Sequence, residues 1–448
     1  VGRETGLSVG TIAVVLTVVI ANLGNNIVAP LMPALKDHFG STAGQIALVA
    51  SGFGVGRLVM DLPAGYLSDH ISIGRLFGVG IVISGATAAM AALSTSLEQL
   101  IVFRTAMGFG SSIMSTVALT LLARISPPAQ RGEVLAFYTS GMLFGQAISP
   151  TIGGYLATQF NWQAAFVFCA LTPLLSLPLS LMATARTPTQ TGLGGGSRKP
   201  TGGHPLVATQ STALKTPDTN WAALAAAYLG NFTNFFDRHG MRASLLPLYA
   251  GMVLGMDATS IGAILTTGSV FTIIINLPSG VIADRVGKKT LLLPGLLTLC
   301  VGNMLLLSDP SPLLFTAATV FVSMGVLSNS MISGLVADLV PEPLVGKGMG
   351  MYRFTADLGV VAGPFVLGLL TDIYGFNAAL VAGAAVVLVG VAATQLLIPK
   401  EPVGSLLPGL GEYQCFVLMA EADLMPSSAL YMLLTLRPSG AKIMMTIV

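Results

Sequence analysis

The sequence predicts an all-α membrane protein of twelve transmembrane helices, arranged as two pseudo-symmetric six-helix bundles. Three observations carry that prediction. Of 448 residues, 53% are hydrophobic and only 9% are charged, with a mean hydropathy of +0.80. A soluble protein carries roughly 25% charged residues, so the deficit points to lipid as the solvent. Twelve apolar runs come close to the ~20 residues a helix needs to cross a bilayer. The third observation is an internal duplication.

The duplication shows as one shift shared by unrelated positions. Leu277, Pro278, Ser279, Gly280 and Asp284 answer to Leu62, Pro63, Ala64, Gly65 and Asp69, 215 residues earlier. Gly145–Gly154 reads G-Q-A-I-S-P-T-I-G-G and Gly359–Gly368 reads G-V-V-A-G-P-F-V-L-G, with Pro150 and Pro364 214 apart. Gly132 and Gly346, Tyr138 and Tyr352, and Pro33 and Pro247 repeat the 214-residue shift. A chain that repeats itself at this length is two copies of one unit.

The apolar runs lie at 8–35, 43–68, 74–94, 98–124, 132–158 and 163–184 in the first copy. In the second they lie at 220–250, 259–282, 289–308, 312–339, 346–371 and 376–398. The organisation is therefore an N-terminal bundle at 1–184, a linker at 185–219, a C-terminal bundle at 220–399 and a tail at 400–448. The linker is rich in Gly, Thr and Pro, which suits a flexible tether. The tail has no run long enough to span and is expected to be poorly ordered, with an interfacial helix as the alternative. The run from Val9 is too long for a signal peptide and reads as the first span.

Charge sets the orientation. Arg75, Arg124, Arg131, Arg186, Arg198, Lys199, Lys215, Arg285, Lys288, Lys289, Lys347 and Lys400 share one side of the membrane, while Lys36 lies on the other. Lys and Arg accumulate in cytoplasmic loops, so both termini are expected in the cytoplasm of a multi-pass plasma (inner) membrane protein. The net charge of +2 is spread over loops and gives no reason to expect nucleic acid as a partner. Cys169, Cys300 and Cys415 lie far apart, without metal spacing, and are expected to be free thiols. No H-E-x-x-H, nucleophile elbow or Walker loop suggests an enzyme or an ATP-driven pump.

The second copy holds the clearest motif. Gly280–Lys289 reads G-V-I-A-D-R-V-G-K-K, four charges in a hairpin between two apolar runs. It resembles the loop pattern G-x-x-x-D-R-x-G-x-K/R-K/R of the major facilitator superfamily, and Asp284 and Arg285 fill its charged core. The first copy is degraded: Asp69 remains, but His70 stands where the Arg belongs. The resemblance covers about 8–398 and implies a transporter that alternates access to a cavity between its bundles.

Ionisable residues inside membrane spans are costly and are default functional candidates. Arg57 and Asp61 lie one turn apart in the second span, and Arg353 and Asp357 repeat the spacing in the eleventh. In the superfamily those spans face each other. On that arrangement Asp61 opposes Arg353 and Arg57 opposes Asp357, a four-charge latch that protonation of an Asp would release. The alternative is two intrahelical pairs, since residues four apart pair easily on a helix. Arg104 in the fourth span resembles a family motif associated with proton transfer in proton-coupled members. Gly145, Ser149, Pro150, Gly153 and Gly154 resemble the helix 5 motif of drug–proton antiporters, with Ser149 replacing a Gly. Asn22, Asn25 and Asn26 in the first span, and Asn231, Asn234 and Asp237 in the seventh, are expected at the substrate cavity because those spans line it in this family. Arg238, His239 and Arg242 follow Asp237.

The expected function is proton-coupled efflux of small amphiphilic compounds, similar to the twelve-helix drug–proton antiporters. The alternatives are an importer or uncoupled facilitator of a sugar or organic anion, and a non-transporting receptor. No metal or organic cofactor is expected. The proton-motive force would supply the energy. The expected partners are a small-molecule substrate, protons and the lipid bilayer, around a monomer.

Overall fold

The computed structural model describes residues 9–126, 131–185, 220–308, 310–341 and 344–399. The expected linker from 186 and the tail from 400 lie outside the described residues. Every described element is helical. The first bundle holds α1a (Val9–Asn22) with its continuation α1b (Met32–Phe39), α2 (Ala43–His70), α3 (Ile73–Ala92), α4 (Leu97–Ile125), α5 (Arg131–Gln159) and α6 (Trp162–Ala185). The second holds α7a (Trp221–Gly240) with α7b (Leu246–Met252), α8 (Ala258–Val286), α9 (Lys288–Ser308), α10a (Pro312–Met324) with α10b (Leu327–Leu339), α11 (Val345–Tyr374) and α12 (Phe376–Leu397). Nine spans among the described residues are long and apolar enough to cross a membrane by themselves, α10 counting as one. The other three positions are α1, α5 and α7, and α5 has the length at 29 residues.

Helix starts follow local sequence. Thr42 opens α2 with a capping box, its hydroxyl accepting from the Gln45 N–H while Gln45 accepts from the Thr42 N–H. Ser96, Asn220, Asp257 and Ser311 accept first-turn N–H groups of α4, α7a, α8 and α10a. Gly287 takes φ 93° at the hairpin between α8 and α9, a turn residue that a Cβ would strain.

Three spans that hydropathy reads as continuous are broken. The first passes through a 3-10 turn at Ala29–Leu31, next to Pro30 and Pro33. The seventh passes through a π turn at Met241–Leu245, ahead of Pro247. These two breaks sit at matching places in the duplication. The tenth breaks at Gly325, where a Cβ would lie 2.5 Å from Leu299.

Each bundle has its own apolar core, built around Phe77 and Phe166 in the first and Phe315 and Leu299 in the second. The bundles meet along two seams, α2 against α11 and α5 against α8. Both seams are made by glycine at backbone contact. A Cβ on Gly154 would lie 2.1 Å from the Ala258 carbonyl, and one on Gly262 would lie 2.3 Å from that of Pro150. Such small residues are what allow membrane helices to approach closely. At the end opposite the α8–α9 hairpin, here the far end, the seams are tight. Towards the hairpin end the α2–α11 seam loosens, and a Cβ on Gly65, Gly346 or Gly350 would meet nothing within 4 Å.

Candidate functional site

The broken first span is held by α5. Asn22 bonds the Val18 carbonyl at 2.8 Å and accepts from Asn25 at 2.9 Å and from Gln146 at 3.2 Å. Pro150 has no N–H to give the Gln146 carbonyl one turn earlier, and the Asn26 amide takes that carbonyl at 3.3 Å. Ser149 accepts the Asn26 backbone N–H at 3.1 Å. The serine that departs from the family's motif thus satisfies a backbone donor that the break releases. Gly145 and Gly153 make room for α1, since a Cβ on either would meet the Val19 or Ile27 carbonyl at 2.6 or 2.4 Å. The α5 motif is a docking surface for α1 on one side and α8 on the other.

The four charges of the second and eleventh spans pair across the seam. Asp61 accepts two hydrogen bonds from Arg353, Nε at 2.7 Å and Nη2 at 3.1 Å, and a further one from the Ser112 hydroxyl of α4. Asp61 is 10% exposed and Arg353 38%. Arg57 and Asp357 lie one turn farther from the hairpin end, 3.9 Å apart without a hydrogen bond at the Arg57 Nε. The antiparallel run of α2 and α11 makes this crossing possible: stepping towards the far end on one helix is stepping backwards along the other.

Arg57 and Asp357 also border a cavity of about 240 Å³ between the bundles. Its polar lining is Asn25, Asn26 and Gln146 from the first bundle with Ser269 and Thr272 from the second. Beyond the Arg57–Asp357 pair, its charge comes from arginine. Arg104 of α4, Arg238 of α7a and Arg242 of the π turn all reach it. Arg104 is only 4% exposed and rests on the Phe53 ring at 4.7 Å, with Met107 Sδ at 3.8 Å. Arg242 is fixed by the Ser323 hydroxyl at 3.0 Å, the Leu265 carbonyl at 3.1 Å and the Ser269 hydroxyl at 2.6 Å. Arg238 lies over the Phe235 ring at 5.1 Å, and His239 stacks on the same ring at 5.4 Å. Among the described residues no carboxylate pairs with Arg104, Arg238 or Arg242. The Nε atoms of Arg104 and Arg238 are buried without a partner.

Some expected cavity residues are elsewhere. Asn25 and Asn26 line the cavity, but Asn22 is committed to holding the break. Asn231 bonds the Tyr352 carbonyl and Thr355 of α11 at 2.7 and 3.0 Å, and Asn234 bonds Asn329 of α10b at 2.5 Å. Asp237 faces the other way, between α9 and α12. It is fully buried, and its Oδ1 accepts from Asn303 at 2.8 Å while its Oδ2 has no partner. The side chains of Asp69, Asp284 and Arg285 lie outside those described. Sequence reasoning missed Gln146, Ser269, Phe53 and Phe235, uncharged residues whose only signal is position on a lining face, and Ser112, which meets Asp61 from another helix.

The family follows from the sequence match to this fold. Residues 14–260 match the Major Facilitator Superfamily, and residues 227–413 match it again. The chain belongs to that superfamily. The chain is similar to the hexuronate transporter of Bacillus subtilis, 24% identical over 83% of this chain and 91% of that protein. It is also similar to the multidrug efflux pump LfrA of Mycolicibacterium smegmatis, 23% identical over 82% of each. Among solved structures, a bacterial homolog to the human lysosomal transporter Spinster, inward-facing and unoccupied, superposes with a TM-score of 0.71 at 14% identity. That match covers 90% of this chain and all of the other. The chain is thus a multi-pass membrane protein with the fold of an MFS transporter, a family whose members carry small molecules across membranes.

Proposed function

We propose that this MFS protein is a secondary active transporter of small organic anions, coupled to protons through the charges between α2 and α11. One observation carries the reading: Arg104, Arg238 and Arg242 reach the cavity, and among the described residues no carboxylate pairs with them, Asp357 at its border being paired with Arg57. A charge kept out of water without a partner is expensive, and an anionic substrate would supply the missing partner. The guanidinium fork suits carboxylate and phosphate oxygens. Asn25, Gln146 and Ser269 add groups that could bond sugar hydroxyls. The likeness to a hexuronate transporter, which covers most of both chains, supports the same class.

Arg104 comes from the first bundle and Arg238 and Arg242 from the second, so one bound anion would draw the bundles together. Protonating Asp61 or Asp357 would discharge one half of a cross-seam pair and loosen the hairpin end. The Lys and Arg of the loops favour that end as the cytoplasmic one in a plasma membrane.

A second reading, proton-coupled efflux of amphiphilic compounds, is favoured by the likeness to LfrA and by the Phe53, Phe235 and Leu143 surfaces of the cavity. Liposomes containing the protein and an internal pH dye separate the two. Sugar acids such as glucuronate should drive proton movement that Asp61→Asn and Asp357→Asn reduce. Proton movement with lipophilic cations and none with sugar acids would favour the second reading and reject the first.

A further inference from the structure

The far end of the α2–α11 seam is closed by a carboxylate from the opposite bundle. Asp372, in the last turn of α11, accepts the backbone N–H groups of Ala43 and Gly44, each at 2.8 Å, and the Thr42 hydroxyl at 2.5 Å. These donors are the start of α2, where the first N–H groups have no partner inside the helix and the helix dipole is positive. Packing matches the bonding. A Cβ on Gly44 would lie 2.6 Å from Asp372 Oδ2 and 3.2 Å from the Leu369 backbone. A Cβ on Gly368 would lie 2.7 Å from Ala47. The glycines let the carboxylate reach the helix end.

The duplication supplies an internal comparison. Thr158 stands 214 residues before Asp372, at the end of α5, facing the start of α8. Its hydroxyl accepts the Thr259 N–H at 3.2 Å. The placement is equivalent, but the group is neutral and takes one donor, and Thr259 has a cap within its own helix as well: Asp257 accepts from Thr259 at 3.2 Å and from Ser260 at 3.4 Å, whereas the capping box of α2 serves Thr42 and Gln45 and leaves Ala43 and Gly44 to Asp372. The start of α2 depends on the other bundle for these bonds in a way that the start of α8 does not.

We infer that Asp372 is the far-end gating residue of the transport cycle. Its carboxylate clasps α11 to the start of α2 while the far end is shut, and the clasp must break before that end can open. The Asp61–Arg353 pair holds the same two helices nearer the hairpin end, so the helix pair carries one charged clasp towards each end. Opening the far end strips three donors of their partner at once, whereas opening the α5–α8 seam strips a neutral one.

The test needs no substrate and so stands apart from the anion reading. Spin labels are placed at Ala34→Cys on α1b and Asn377→Cys at the start of α12, both exposed at the far end, in the full chain without its native cysteines. Distances between them are measured in lipid nanodiscs. Hydrogen bonds to a charged group are strong enough that losing one should shift a two-state balance about tenfold or more. Asp372→Asn, and more so Asp372→Ala, should raise the long-distance population by that factor. Thr158→Ala should change it far less. If Asp372→Ala fails to accumulate in the membrane, Asp372→Asn keeps the shape and carries the test. Wild-type distances in Asp372→Asn overturn the inference, and so does a lowered melting temperature with unchanged distances, which would make Asp372 a brace without a gating role.

Discussion

The Asp61–Arg353 pair gives the sharpest quantitative prediction. Two opposite charges 4 Å apart attract by about 4 kcal/mol at an effective dielectric of 20. Desolvation and the cost of holding the side chains offset much of that attraction. A solvent-exposed pair is worth ~0–1 kcal/mol, and breaking a fully buried one costs about 3–5 kcal/mol. Asp61 is nearly buried while Arg353 is 38% exposed, so this pair belongs between the limits. About 2 kcal/mol is the expected coupling, which is roughly thirtyfold in a two-state balance. Arg57 and Asp357, at 3.9 Å, should couple less. The assay is a double-mutant cycle read by spin labels at Ile71→Cys and Leu344→Cys, two exposed hairpin-end positions. Asp61→Asn and Arg353→Gln should each raise the open population at that end. The double variant should add little, and the swap of Asp61→Arg with Arg353→Asp should restore part of the closed state. Strictly additive single variants, with no recovery in the swap, would refute the cross-seam latch and leave Asp61 as a partner of Ser112 alone.

Two further predictions concern stability. Asp237→Asn should leave the melting temperature unchanged or raised, because it removes an unpaired buried charge, whereas Asn303→Leu should cost about 2 kcal/mol by taking away the hydrogen-bond partner of Asp237. Thermal unfolding of the two variants in one detergent checks the order, and a more stable Asn303→Leu would contradict it. Asp257→Ala should cost about 1 kcal/mol as a lost helix cap. Hydrogen bonding, first from the Ser260 side chain, holds the Asp257 carboxyl below its usual range. Its contribution is therefore present above pH ~4 and fades as pH falls through the lowered value, where wild type and variant should converge.

The bundles were legible because lipid imposes a length on every crossing helix. The run predicted at 43–68 is α2, Ala43–His70, and the run at 376–398 is α12, Phe376–Leu397. The breaks in α1 and α7 were not legible. Hydropathy averages over them, and what holds them, such as Ser149 and the freed Gln146 carbonyl, comes from another helix. The cross-seam partners could be named in advance because the family resemblance set spans two and eleven face to face, and each carried an Arg and an Asp four residues apart. Asp237 shows the opposite case. It was placed at the cavity, yet its neighbour Arg238 lines it and Asp237 does not. One residue along a helix is a turn of about 100°, and this span carries polar residues on more than one side, Asn231 and Asn234 as well as Asp237 and Arg238, so the sequence does not single out the face towards the cavity. Asp372 drew no notice because an acid at a helix end looks like any solvated loop residue until its donors are known.

The central claim is that the arginine cavity holds an anion. Its most direct test is equilibrium binding of radiolabelled glucuronate to purified protein, for wild type, Arg104→Gln and Arg242→Gln, with competition by glucose and by a lipophilic cation. Saturable binding that each variant weakens about tenfold or more, displaced by neither competitor, is the predicted result. Displacement by the cation, or binding indifferent to both arginines, would contradict the account.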